Sequence, residues 1–231
     1  MSTIEGATSG PYCYPYPHPA VTTDVVVFTI REGRLQLLLI RRGGEPFEGH
    51  WALPGGFLAI DEDLELCAKR ELEEETGVAG VYLEQLYTFG RPGRDPRERV
   101  ISVAYYALVP SERLALRPAS DATEAAWFPV ADLPPLAFDH DQIISTAHER
   151  LVAKLDYSTI AFQFLADTFT LSELQEVYET LVDAELDKRN FRKWALALEQ
   201  IEETGELRRR GRHRPARVYR LKHRDRVDVI R

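Results

Sequence analysis

Gly56-Phe-Leu-Ala-Ile-Asp-Glu62-Asp-Leu-Glu-Leu-Cys-Ala-Lys-Arg70-Glu71-Leu-Glu-Glu74-Glu75-Thr-Gly77-Val78 is the stretch whose reading decides this chain. Glu71, Glu74 and Glu75 stand at i, i+3 and i+4, so on a helix they share one face. Leu64, Cys67 and Ala68 precede them on the same stripe, which is apolar where the helix starts and anionic where it ends. Like charges at this spacing cost roughly a few tenths of a kcal/mol per pair. Carboxylates near a helix C-terminus also oppose its dipole. A hard dication with oxygen ligands offsets both penalties. Taken alone, such a run ordinarily means a solvated acidic face. The frame argues otherwise. Gly77 is placed to stop the helix, and Pro54-Gly55-Gly56 allows a tight loop before it. Arg70 can brace carboxylates by bidentate pairing, with Glu62 as its first partner.

The whole stretch resembles the Nudix family, whose pattern is G-x5-E-x7-R-E-U-x-E-E-x-G-U with U apolar. Seven fixed residues at about 7% background each, with two apolar positions, give on the order of 10⁻⁹ per start position. The resemblance covers roughly residues 20–155 and implies an α/β/α sandwich. It also implies a divalent metal, Mg²⁺ or Mn²⁺, for nucleoside diphosphates linked to another group. Glu71, Glu74 and Glu75 would hold the metal, and Glu62, Arg70 and Glu74 would form the catalytic set.

At 231 residues and 44% apolar content, the chain supports one large domain or two modest ones. Two cysteines, Cys13 and Cys67, cannot make a disulfide framework, so a reducing, cytoplasmic setting is expected. Residues 1–10 lack the basic start and apolar run of a signal peptide. No apolar stretch approaches the ~18 residues of a membrane span. The net charge of −8 conceals a division. Residues 186–231 hold 15 Lys/Arg against 7 Asp/Glu, a balance of +8, while the rest of the chain carries −16. Such asymmetry implies two tasks, the basic end facing a polyanion.

Residues 11–20, rich in Pro and Tyr, read as an extended arm. Buried strands are expected at 25–30 and 35–40, joined by a turn at 31–34. The loop at 51–58 leads into a helix at 61–76. Further strands are expected at 81–89 and 100–108, a short one at 127–130, and a helix at 140–155. The region changes character at 156–166, so a first domain over 1–155 and a second over 156–231 are expected. Thr170-Leu-Ser-Glu173 is a capping-box sequence, followed at helical spacing by Leu171, Leu174, Val177, Tyr178 and Leu181. Asp187 suits an N-cap. The helix after it turns Phe191, Trp194 and Leu198 inward and Lys188, Arg189, Arg192 and Lys193 outward. Segments 206–210 and 216–221 about a turn at 211–215 read as a β-hairpin. Two helices, a short turn and a basic hairpin describe a winged helix-turn-helix.

Ten cationic residues crowd into positions 208–226. Arginine suits phosphate because its planar fork makes two hydrogen bonds at once. A Lys/Arg run without context is usually a solvated tail, but this one lies on an expected hairpin behind a basic helix face. Lys188, Arg189, Asn190, Arg192 and Lys193 are therefore expected in a DNA major groove. Arg210, Arg212, Arg214 and Arg217 would lie along phosphates or in the minor groove.

An acidic Nudix domain followed by Leu186-Asp-Lys-Arg-Asn-Phe-Arg192 and Arg214-Pro-Ala-Arg-Val-Tyr-Arg220 resembles the Nudix-related transcriptional regulators, the NrtR family. The resemblance spans nearly the whole chain. It implies a homodimeric repressor of NAD-metabolism genes, bound to a double-stranded operator and released by ADP-ribose or a related NAD metabolite. Arg41, Arg42, Trp51, Gly56, Phe57 and the 90–97 loop, with Arg91 and Arg97, are the candidates for ligand contact, with core packing the competing role for Trp51 and Phe57. An intact box is compatible with hydrolysis of ADP-ribose to AMP and ribose 5-phosphate. It is equally compatible with holding the ligand whole. Asp139, His140 and Asp141 are positional candidates for a general base. The rival function is a metal-dependent ADP-ribose pyrophosphatase with an incidental basic tail, and behind it an RNA-directed hydrolase. The tail's shortage of stacking aromatics argues against RNA.

Overall fold

The computed structural model describes residues 16–111, 122–209, 215–224 and 226–230. Cys13 of the expected arm, and Arg210, Arg212 and Arg214 at the expected hairpin turn, lie outside them. Strands β1 (Ala20–Arg31) and β2 (Arg34–Arg42) form a hairpin. Its two loop residues, Glu32 and Gly33, both lie in the left-handed region at φ 53° and 68°, the geometry that matches strand twist in a two-residue turn. Both strands are continuously buried at their centres. A strand buried on both faces needs cover on both.

That cover comes from α1 (Leu64–Thr76) and α2 (His140–Leu155), on opposite sides. Residues of β1 divide by parity, as a two-residue period requires. Val25 and Val27 join Ala68 and Leu72 of α1 in one cluster. Val26 and Phe28 join Ile143, Ala147 and Leu151 of α2 in the other. Strands β3 (Trp51–Ala52), β4 (Gly55–Phe57), β5 (Tyr82–Phe89), β6 (Val100–Leu108) and β7 (Ala122–Pro129) complete a seven-stranded mixed sheet. Its order is β3-β2-β1-β6-β5, with β4 added on β1 and β7 on β2. Only β1 and β6 run parallel among these pairs.

Helix α1 and strand β7 depart from the sequence expectation. Helix α1 starts at Leu64 rather than 61, because Asp63 caps it by accepting from the Glu65 amide at 2.9 Å. Glu62 thus sits in a turn outside the helix. On the helix it would lie about 12 Å from Arg70 along the axis; in the turn it reaches that residue directly. Strand β7 begins at Ala122, well before 127, since pairing with β2 makes a strand of Ala125 and Ala126, which lack β preference of their own.

Beyond α2, a 3₁₀ turn (Ile160–Phe164) leads to β8 (Phe169–Thr170), α3 (Leu171–Val182), α4 (Lys188–Ala197), β9 (Ile201–Arg208) and β10 (Ala216–Leu221). The capping box forms: Thr170 Oγ1 accepts from the Glu173 amide, and Glu173 Oε2 accepts from the Thr170 amide at 2.7 Å. Asp183 stops α3 in the left-handed region at φ 50°, and Asp187 caps α4 through the Asn190 amide at 2.8 Å. Rings of Tyr178, Phe191 and Trp194 lock the two helices together. The three-stranded sheet runs β8-β10-β9. Strand β9 starts at Ile201, not 206, because buried Ile201 anchors a segment whose Glu202-Glu203-Thr204-Gly205 carries no strand signal.

The apolar core does not break near 156. Leu155, Ile160, Phe162, Phe169, Leu174, Phe191 and Tyr219 belong to the same cluster as Val26 and Leu37. Each fully buried Leu or Phe in it stabilises by roughly 1.5–3 kcal/mol. Among the described residues no helix is long and apolar enough to cross a membrane.

Candidate functional site

The loop between β3 and α1 presses backbone against backbone. A Cβ on Gly55 would collide with the Thr23 carbonyl, and one on Gly56 would fall on the Glu71 carboxylate. The Gly55 amide donates to Glu75 Oε2 at 2.8 Å, which seats Glu75, 6% exposed, under the loop. Arg70 then gathers the remaining carboxylates. Its Nε and Nη2 donate to the two oxygens of Glu62 at 2.7 and 2.9 Å. Its Nη1 donates to Glu71 at 2.7 Å and to Glu74 at 3.1 Å. The Arg70 hydrogen bonds hold the Glu62 carboxyl down at about 2, and the same carboxylates raise the Arg70 guanidinium. Cys67 lies beneath as a buried free thiol, raised by that burial. Glu62, Arg70, Glu71, Glu74 and Glu75 therefore come together as one cluster.

Carboxylate oxygens are the donors a hard divalent cation takes, so the cluster fits such an ion in its chemistry. Among the described residues no three His, Cys, Asp or Glu side chains yet converge closely enough to hold one.

A cavity of about 390 Å³ opens above this cluster, within the range of small-molecule sites. Gly56, Phe57, Arg42 and Arg97 line it, as do Glu71 and Glu75. Arg97 sits over the Phe57 ring at 5.3 Å, and Arg42 over Phe138 at 4.8 Å. Burial works to raise Asp95, but hydrogen bonds from Arg97 outweigh it and hold the carboxyl low. The other three ligand candidates fall elsewhere. Trp51 packs edge-on to Phe128 at 4.7 Å and against the core. Arg41 donates to the Gly49 carbonyl and pairs with Glu124. Arg91 is exposed and does not line the cavity.

The floor of the cavity is a buried polar network; sequence reasoning named its helix end and the 90–97 loop that carries Arg94, but not the pairing between them. Arg94 Nε and Nη2 donate to both oxygens of Asp139 at 3.0 and 2.6 Å. Asp24 accepts from Ser102 and faces Arg94 and His140, each at 3.5 Å. His140 Nδ1 accepts from the Leu53 amide at 2.9 Å, so the neutral ring carries its proton on Nε2, toward Asp24. Burial lowers the His140 pKa. For the base candidates this means that Asp139 is engaged by Arg94, His140 is buried with its acceptor nitrogen used, and Asp141 is exposed on α2.

The second charged surface is α4. Lys188, Arg189, Asn190, Arg192 and Lys193 are all exposed, while Phe191 and Ala195 face inward. Cations of the hairpin behave differently. Arg217 pairs with Glu203 at 2.8 Å and Arg220 with Glu202 at 2.5 Å across the strands. Arg208 turns in to Glu173 and Thr168, and Arg224 donates to the carbonyls of Leu165 and Ala166. The crowd of arginines read from the sequence is thus partly structural.

Fold and sites together define a Nudix domain joined to a C-terminal winged helix. A family model described as the NUDIX domain matches residues 20–147, and one described as the NrtR DNA-binding winged helix domain matches 161–221. An Acinetobacter baylyi protein, named ADPR responsive transcriptional repressor NtrR, is 37% identical over 209 residues, covering 89% of this chain and 83% of that one. The chain belongs to the NrtR family. Shewanella oneidensis NrtR, solved in complex with a 27mer DNA, matches with TM-score 0.78 and 40% identity over 87% of this chain and 93% of its own. The NUDIX domain of that protein, solved with ADP ribose, matches with TM-score 0.56 and 40% identity over 59% of this chain and 90% of its own. An ADP-ribose pyrophosphatase of Methanocaldococcus jannaschii is 41% identical over 129 residues, 56% of this chain and 73% of that enzyme. Nudix proteins generally use divalent metals.

Proposed function

We propose that this protein is a DNA-binding transcriptional repressor whose Nudix cavity senses ADP-ribose or a related NAD metabolite and whose operator is released when the cavity fills. One observation carries the reading: a cavity lined by cations, aromatic rings and box carboxylates shares an unbroken core with a helix presenting four exposed cations. Arg42 and Arg97 offer positive charge to a pyrophosphate, and the rings of Phe57 and Phe138 offer faces to a base or sugar. Helix α4, with Lys188, Arg189, Asn190, Arg192 and Lys193, has the dimensions and charge for a major groove, and Arg217 borders it on the wing. A homodimer suits a near-palindromic operator. The test is a gel shift on the promoter nearest the gene, with and without ADP-ribose and Mg²⁺. Specific retention that ADP-ribose weakens is expected; retention independent of sequence would overturn the repressor.

Hydrolysis of the same ligand is a second reading, favoured by the intact box and its Arg70 network. Glu71, Glu74 and Glu75 would hold Mg²⁺ or Mn²⁺, which supplies positive charge against the pyrophosphate and lowers the pKa of a bound water. Arg70 holds Glu62, Glu71 and Glu74 in register, and the buried Arg94–Asp139 pair keeps the cavity wall fixed. Glu74→Gln should abolish AMP release from ADP-ribose while leaving DNA affinity intact. Unchanged AMP release by that variant would remove Glu74 from the metal site.

A further inference from the structure

We propose that α2 transmits occupancy of the cavity to the DNA-reading module, with Asp139 as the positioning residue that clamps its first turn; the inference rests on the function proposed above. Three consecutive residues tie that end of the helix to the cavity. Phe138 lies under Arg42 and Arg97, Asp139 grips Arg94 through two hydrogen bonds, and His140 accepts from the Leu53 amide ahead of the glycine loop. Arg42, Arg94, Arg97, Phe138 and His140 all line the cavity, whereas Asp139 stands behind them. Any ligand that re-seats those arginines or rings therefore re-seats the start of α2.

The other end is tied to the DNA-reading half. Ser158 donates to the Lys154 carbonyl at 2.7 Å. The segment just past the helix is strapped by the chain's own C-terminal tail. The Thr159 amide donates to the Asp228 carbonyl at 2.9 Å, the Ile230 amide to the Tyr157 carbonyl at 2.8 Å, and the Asp228 amide to Thr159 Oγ1 at 2.9 Å. That tail follows β10, a strand of the wing. Between the ends, Ile143, Ile144, Ala147, Leu151 and Leu155 share one buried cluster with Leu174 and Leu181 of α3. A 16-residue helix is a rod of about 24 Å. Packed this densely it moves as a body rather than bending. The cavity end and the tail end cannot shift independently.

Full-length Asp139→Asn keeps the shape of the side chain and removes its charge. Three quantities are measured for it and for the unaltered protein: ADP-ribose affinity by calorimetry, DNA affinity by anisotropy, and the ratio of DNA Kd with and without saturating ADP-ribose. DNA affinity without ADP-ribose should stay within about threefold, while the ratio at saturating ADP-ribose falls at least about fivefold toward one. A ratio equal to that of the unaltered protein, or loss of ADP-ribose binding itself, would overturn the role of Asp139. A ratio of one in the unaltered protein overturns the ligand-released repressor, and this inference with it. Hydrogen exchange on the unaltered protein gives an independent arm. Adding ADP-ribose should change protection at 157–159 and 228–230, and change confined to cavity residues would count against the rod.

Discussion

Arg70 commits its guanidinium to three carboxylates of the acidic box, whereas Arg189 on α4 makes no ion pair among the described residues and lies open to solvent. The two sites handle charge in opposite ways for a physical reason. A small-ligand pocket excludes water, so every polar group in it needs a partner before the ligand arrives. A groove-reading helix works in water and gains by releasing counterions from phosphate, which requires cations with little to give up. One site is pre-organised at the cost of buried polar networks, and the other is kept cheap to ionise and exposed.

The largest effect should come from breaking the enclosed site at its tightest point. Gly55→Ala puts a methyl against the Thr23 carbonyl, backbone on backbone, where no side chain can swing away. A loss of about 3 kcal/mol or more in urea unfolding is expected. A change under about 0.5 kcal/mol would mean that the loop has room for a methyl group against β1.

Next comes the open site. Arg189→Ala with Lys193→Ala should lower operator affinity by about 10- to 100-fold and reduce the salt slope by about two. ADP-ribose affinity, read by calorimetry, should not move. Equal DNA affinity in the double variant would dismiss α4 as the docking helix.

How far each site could be read from sequence follows the same division. The box, the α3 capping box and the Asp187 cap were legible because their partners lie within a few turns of chain: Thr170 with Glu173, Asp187 with Asn190, Arg70 with Glu74. The exposed face of α4 was legible for the same reason. The floor of the cavity was not. Arg94 meets Asp139 45 positions away, Ser102 meets Asp24 across 78, and Leu53 meets His140 across 87. No local pattern encodes such pairings; only the parallel register of β1 with β6 and the packing of α2 create them. Trp51 illustrates the converse, an aromatic beside a glycine loop that packing drew to Phe128.

The enclosed site should also show its cost as a pH effect. His140 is a base whose folded pKa lies below its ordinary value because burial disfavours the charged ring. As pH falls, the unfolded chain takes up the proton near 6.5 and the folded one resists. Its contribution is therefore present above that pH and lost below it. The melting temperature should drop between about pH 7 and 5, and the drop should shrink in His140→Gln. An imidazole signal titrating at an ordinary value in NMR would contradict the buried neutral ring.

The smallest expected effect tests where the two strategies meet, on the wing. Arg217 is a cation proposed to face DNA that nevertheless carries a partner, Glu203, with both side chains well exposed. Exposed pairs of this kind contribute about 0.2–1 kcal/mol, so Glu203→Gln should change folding stability by no more than that. Removing one negative charge beside phosphate should still raise affinity for any duplex, by about two- to threefold at low salt, with the gain fading as salt rises. The operator and an unrelated sequence should gain alike, because phosphate contacts carry no base information. A gain restricted to the operator would place Arg217 against a base edge, and the wing would then read sequence as well as contact phosphate.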